Sequence, residues 1–177
     1  MKNTQKKKVD VTIEIFNSLY IVGLIFLILK IANNLQWIFK LVRKWEIPKD
    51  PFFSKINLIN SDVSIVSYLV FAVTYILLFG FVALGLYQLN KVRKVFIDNI
   101  YFTEEISTSF KKTGRFFIAF VVSILIVDIA LLAWSKTSIK AIQLFSTEQI
   151  VFLILGYLLF FLSGIFKKGT KLQKQKL

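Results

Sequence analysis

Four long apolar runs constrain this chain more than any motif in it: Ile13 to Ile31, Val63 to Tyr87, Phe116 to Trp134 and Ile150 to Phe166. About 20 mostly apolar residues carry a helix across a hydrocarbon core of roughly 30 Å. Each run reaches or approaches that length. Hydrocarbon offers the backbone no water, so its N–H and C=O groups must bond within the segment, and such a run is helical. A soluble domain spreads its apolar residues by helical or strand period, whereas here they are gathered in blocks. The runs predict an all-α integral membrane bundle of four transmembrane helices, forming a single domain over residues 1–177.

Composition adds what the chain lacks. It contains no cysteine and no histidine. Disulfides, thiolate metal sites and lipidation at Cys are thereby excluded. Zinc sites and Ser-His or Cys-His catalysis are left without ligand or base. Nor does the sequence hold an acid pair, a metal-ligand cluster or a Gly-rich phosphate loop. Asp50 and Asp62 are isolated loop acids. Neither a cofactor nor an enzymatic activity is expected.

The net charge is +13. In a soluble chain that balance would raise nucleic acid. Here the basic residues collect at helix ends, where they fit anionic lipid headgroups better than direct nucleic-acid binding. Lys2, Lys6, Lys7 and Lys8 precede the first run. Lys91, Arg93, Lys94, Lys111, Lys112 and Arg115 flank the second connection. Lys167, Lys168, Lys171, Lys174 and Lys176 come after the last run. These fifteen outnumber the seven in the first and third connections. The positive-inside rule then predicts that both termini and the second connection are cytoplasmic. A basic start before an apolar core looks like a signal peptide, but the exit Lys30-Ile31-Ala32-Asn33-Asn34 has no small-x-small cleavage site. An uncleaved first helix is expected.

Along the chain, residues 1–10 are polar and expected to be disordered, and the first helix is expected to end near Asn33-Asn34. Leu35, Ile38, Val42 and Trp45 then fall near one helical stripe with Lys40, Arg43 and Lys44 between them, which predicts a short amphipathic helix in the interface with Trp37 and Trp45 at headgroup depth. Pro48 and Pro51 break the chain beyond it, and Asn60-Ser61-Asp62 offers caps for the second helix. Leu89, Val92 and Phe96 extend the second apolar stripe past the membrane. Ile97 to Phe102 reads as a turn. Thr103 is a helix cap, with Glu104 and Glu105 in the first turn where the helix dipole favours acids. Ile106, Phe110, Thr113 and Phe117 form one stripe leading into the third run. A helical hairpin over residues 88 to 114 is therefore expected to project into the cytoplasm.

The segment Phe102-Thr103-Glu104-Glu105, continued by Phe110, Lys111, Lys112 and Gly114, resembles the recurring motif of the bacterial domain of unknown function 2975 family of four-helix membrane proteins. The family pattern is an aromatic, Thr or Ser, acids, an Asn, a hydrophobic residue four on, and a Gly before the third helix. This chain has Ile106 where Asn is usual and Phe110 where Leu is common. The resemblance implies no known reaction. It implies a multi-pass protein of the bacterial cytoplasmic (inner) membrane, and a small helix-turn-helix regulator as partner. Phe102, Thr103, Glu104, Glu105, Phe110 and Gly114 are the candidate partner-binding residues of the hairpin. Physically the same residues need no ligand: an aromatic anchors the turn, a hydroxyl caps the helix, and Gly114 allows close packing.

Asp128 is the sharpest single residue, a carboxylate within the third run. Ionised at mid-membrane it costs about 2.5–3.5 kcal/mol on insertion scales, so it must face protein or a wet cavity. Hydroxyls of Thr74, Tyr75, Tyr157 and Ser163 are its candidate partners. Ala119, Ser123 and Ala130 share one face of the same helix, roughly opposite Asp128. Small residues favour close helix contact in lipid, so this helix is either central in the bundle or meets a second copy or a partner. Glu14 resembles the membrane glutamate of four-helix small multidrug transporters, yet it sits near Lys8 and Asp10 at the water edge. Gly80, Gly85, Gly156 and Gly164 read as packing points.

Two functional readings are open. The first is a non-enzymatic regulatory or sensory membrane protein that acts through the 88 to 114 hairpin. The second is a small proton-linked transporter or channel subunit using Asp128. No membrane run contains Pro, and no inverted repeat or broken helix of the transporter kind is visible, which favours the first.

Overall fold

The computed structural model describes residues 2–44, 56–59, 65–97, 103–134, 138–142 and 146–175. Its order is α1 (Lys2–Lys44), β1 (Ile56–Ile59), α2 (Ile65–Ile97), α3 (Glu104–Trp134), β2 (Ser138–Ile142) and α4 (Thr147–Lys174). All four helices are long and apolar enough to cross a membrane, through spans at Tyr20–Lys40, Leu69–Val95, Glu104–Ala130 and Thr147–Lys174. The chain is thus almost entirely helical, as the apolar runs require.

The first helix differs from expectation. Residues 2–10 belong to α1, and α1 continues through Asn33 and Asn34 to Lys44 without a break. No separate interfacial helix exists over 35–44; Trp45 lies outside the described residues. The physical reason is that Asn costs a helix only a few tenths of a kcal/mol, about 0.7 at most, while Pro, the true breaker, first appears at position 48. The result is a helix of 43 residues, roughly 65 Å long at 1.5 Å per residue. Its described side chains are mostly exposed, with Leu27 buried.

Two short strands add to the all-α expectation. β1 and β2 pair antiparallel, with Ile56 opposite Ile142 and Ile59 opposite Ser138, and a bulge between Asn57 and Leu58. They tie the α1–α2 connection to the α3–α4 connection, so both lie at one end of the bundle. That end is the sheet end, and the opposite one, where α2 gives way to α3, is the hairpin end. Pro48, Pro51 and the candidate caps Asn60, Ser61 and Asp62 lie outside the described residues.

α3 is the central helix, packed on α2 along one side and on α4 along the other. Its buried positions Ile106, Phe110, Phe117, Phe120, Val121 and Ile124 keep to the three-and-four spacing of a helix face. Phe152 of α4 is the aromatic hub. The rings of Phe117 and Phe120 meet it edge-on with centroids 5.2 and 5.0 Å away, and Phe26 of α1 reaches it at 6.2 Å. Pairs in this geometry each add about 0.5–1.5 kcal/mol beyond the area they bury. Outside this core, Val22, Ile28, Val66, Leu77, Ile126 and Phe161 are 60–71% exposed. An apolar coat on that scale suits hydrocarbon, not water.

Glycine sets the closest approaches. A Cβ on Gly114 would lie 2.7 Å from the Gly156 carbonyl oxygen, and one on Gly85 2.6 Å from the Phe117 ring. These are packing points. Gly80 and Gly164 are not, since a Cβ there meets nothing within 4 Å.

Candidate functional site

At the hairpin end, α2 runs to Ile97 and α3 starts at Glu104. The Ile106 N–H donates to the Thr103 hydroxyl at 3.2 Å, so Thr103 caps α3. Glu104 and Glu105 are exposed in the first turn. Phe102 lies outside the described residues. Three apolar positions of this segment turn inward. Ile106 is fully buried, Phe110 is 2% exposed with its ring 5.4 Å from that of Phe166, and Gly114 is seated on Gly156. Thus Phe110 and Gly114 are occupied by α4, and the accessible members of the motif are Glu104, Glu105, Lys111 and Lys112.

That occupation was hidden because α4 does not stop at Phe166. It continues helically to Lys174 and packs along α3. Two serines lock the pair. The Ser107 hydroxyl donates to the Ser163 carbonyl at 2.9 Å, the Ser163 hydroxyl donates to the Ser107 carbonyl at 2.7 Å, and the two hydroxyl oxygens are 3.2 Å apart. Both residues are buried, so each hydroxyl is satisfied on the neighbouring helix instead of in water. Thr113, fully buried, donates to its own helix at Ser109 and stands 3.2 Å from the Gly85 carbonyl of α2. Nothing in the sequence distinguishes these hydroxyls from other serines and threonines. On α2, Arg93 donates to Asn17 of α1 at 2.8 Å and to Asn90 at 3.1 Å, with its guanidinium 5.2 Å from the Tyr20 ring. The hairpin end is therefore a packed helical assembly joining all four helices.

Toward the sheet end, Asp128 is 6% exposed on the α2–α3 seam. The hydroxyl of Tyr75, itself buried, donates to its Oδ1. The other candidate partners point elsewhere. Thr74 donates to the Val70 carbonyl of its own helix at 2.8 Å, Tyr157 is 62% exposed, and Ser163 is committed to Ser107 at the opposite end. Gly114 lies opposite Gly156, and stepping ten residues along each antiparallel helix puts the α4 cap Ser146 level with Ile124. Asp128 therefore sits about one turn beyond the start of α4.

At that start, Ser146 and Gln149 form a reciprocal capping box. The Gln149 N–H donates to the Ser146 hydroxyl at 3.3 Å, and the Ser146 N–H donates to Gln149 Oε1 at 2.9 Å. A Ser with a Gln three residues later before an apolar run signals such a box, so the sequence did carry the α4 start, three residues before Ile150. Lys30 pairs with Glu148 there and lies 5.5 Å above the Phe26 ring. Glu14, by contrast, is exposed on α1. Among the described residues no three His, Cys, Asp or Glu side chains lie close enough to hold a metal ion.

No protein-family model matches this chain, and neither a curated protein nor a solved structure matches it.

Proposed function

We propose that this is a multi-pass protein of a bacterial cytoplasmic membrane with a regulatory or sensory role, acting through its hairpin end on a small cytoplasmic helix-turn-helix regulator. The carrying observation is mechanical continuity. α2, α3 and α4 run unbroken between their apolar runs and a charged end, where Val92, Ile106 and Phe110 keep them packed. A shift or tilt of a helix within the bilayer would then be felt at the exposed Glu105, Lys112 and Arg115, because packed helices move as units. The resemblance to the domain of unknown function 2975 family supports the same partner.

Orientation is the first premise. Both termini and the hairpin end face the cytoplasm in this proposal, in keeping with the excess of basic residues there. The chain has no native cysteine, so single-cysteine variants report topology cleanly. Lys112→Cys in intact cells should resist a membrane-impermeant maleimide until the cells are opened, whereas Glu148→Cys should label at once. The reverse pattern would overturn the orientation.

The partner is tested by affinity purification of the full chain from native membranes in mild detergent, with mass spectrometry of the proteins retained. A helix-turn-helix regulator should be retained by the native chain and lost from a variant carrying Glu105→Lys, Lys112→Glu and Arg115→Glu. These three side chains are exposed, so the variant spares the core. Recovery of the native chain alone, or only with further copies of itself, would sink the regulatory reading. The second reading, proton-linked transport through Asp128, would then lead.

A further inference from the structure

A groove of about 440 Å³ lies between the start of α3 and the last third of α4. One stripe of each helix lines it. From α3 come Glu104, Ser107, Thr108 and Lys111, spaced by three and four residues. From α4 come Phe160, Ser163, Gly164, Lys167, Lys171 and Lys174 on the same spacing. Four lysines thus converge on one cleft against a single glutamate. All four are exposed, and among the described residues none is held in an ion pair.

The floor and the open side differ in character. Ser107 and Ser163 close the floor through their reciprocal hydrogen bonds. Gly164 lines the cleft, and a Cβ there would meet nothing within 4 Å, so the space above it is open. At the membrane-ward end Phe160 is half-buried, and beside it Phe161 is 66% exposed as part of the apolar coat. The cleft therefore grades from ammonium groups to aromatic surface in the direction of the apolar run that ends at Phe166. An inorganic anion would use only the first part. A molecule with a phosphate at one end and a hydrocarbon chain at the other uses both.

We propose that the α3–α4 groove is a binding site for the phosphate headgroup of an anionic phospholipid, with Lys111, Lys167 and Lys171 holding the phosphate and an acyl chain leaving along Phe160. This rests on the reading of the hairpin end as the cytoplasmic membrane edge, and it names the lipid signal that such a sensor would read. Phospholipid phosphate is the shared chemistry with a soluble phosphate compound, and the grading toward Phe160 and Phe161 assigns it to the lipid.

The test is native mass spectrometry of the full chain in neutral detergent, titrated with phosphatidylglycerol, phosphatidylcholine and inorganic phosphate. Phosphatidylglycerol should be retained in preference to phosphatidylcholine. Each basic side chain adds to the attraction for an anionic headgroup. Lys111→Gln, Lys167→Gln and Lys171→Gln together should therefore weaken retention at least about tenfold. Gly164→Leu, which fills the cleft without touching a charge, should weaken it comparably. Lys94→Gln, Lys112→Gln and Lys168→Gln remove equal charge at the same end but outside the groove, and should leave it within about twofold of the native chain. Equal losses in both triple variants would mean diffuse attraction and overturn the site. No preference for phosphatidylglycerol would do the same. Displacement of the lipid by millimolar inorganic phosphate would reassign the groove to a soluble ligand and overturn the lipid proposal. Loss of the groove with the regulator still retained would leave the function standing, while lipid bound without any regulator would leave the groove standing alone.

Discussion

Replacing Gly114 with leucine is expected to unseat α4 from α3 and to destabilise the chain more than any other single exchange at the hairpin end. The obstruction is backbone, not side chain. A Cβ at position 114 lies 2.7 Å from the Gly156 carbonyl oxygen and 3.2 Å from Phe160 Cδ2. The phenyl ring can turn aside, but the carbonyl belongs to a helix and can retreat only if the whole helix does. The contact is mutual, for a Cβ on Gly156 would meet Ile118 Cγ1 at 2.8 Å and the Gly114 oxygen at 3.2 Å. Moving α4 out lengthens the Ser107–Ser163 bonds, now at 2.7 and 2.9 Å, and parts Phe110 from Phe166. Overpacking of this kind costs about 1–3 kcal/mol, and each buried hydroxyl bond lost in a membrane bundle adds roughly 0.6 kcal/mol. Unfolding of the purified protein in detergent should show a loss of about 2–4 kcal/mol on those terms. Gly80→Ala is the control. It places a methyl in open space and should be neutral or gain up to about 1 kcal/mol from helix propensity. Equal stability of Gly114→Leu and the native chain would show that α3 and α4 do not meet as described.

The contrast between Gly114 and Gly80 also marks how far the sequence could be read. Blocks of apolar residues announce helices, because the backbone in hydrocarbon has no other way to satisfy itself, and all four were visible. Position 114 could be recognised as a glycine at a membrane edge, but its neighbour, Gly156, is fixed only by the register of two distant segments. Ser107 and Ser163 are the same case, since an isolated serine carries no sign of a reciprocal partner 56 residues away. Helix ends were harder. Lys-rich and Asn-containing segments read as tails or breaks on polarity alone, yet they contain no proline, and neighbouring helix carried them to Lys44 and Lys174. The strands are four and five residues long, too short for an alternating pattern to stand out. They pair because the two connections that hold them emerge at one end of the bundle. The hairpin motif was legible as a set of residues, but its division into an exposed acid pair and a buried Phe110 and Gly114 came from α4, which the motif does not mention.

Removing the Tyr75 hydroxyl is expected to separate a structural Asp128 from a working one. Tyr75 donates to Asp128 Oδ1 across the α2–α3 seam, where both side chains are less than a tenth exposed. In water the loss of such a donor would be repaid by solvent, but on this seam it is not. Hydrogen bonds between membrane helices average about 0.6 kcal/mol and reach about 1.7. Burial of both partners leaves no solvent to replace the bond, which places it toward the upper figure. Tyr75→Phe should therefore cost about 1–1.7 kcal/mol. Asp128→Leu should cost at least as much, since it strands the phenol. Asp128→Asn keeps an acceptor oxygen of the same shape and should cost least. If the residue only fastens α2 to α3, Asp128→Asn will be folded, and proteoliposomes holding either protein will show the same proton flux. If Asp128 carries protons, flux will be present with the native chain and abolished in Asp128→Asn despite preserved stability. The double variant Tyr75→Phe with Asp128→Leu decides whether the bond itself holds the seam, because each single exchange removes it. A coupling energy near zero between the two positions would mean that the bond does not hold the seam.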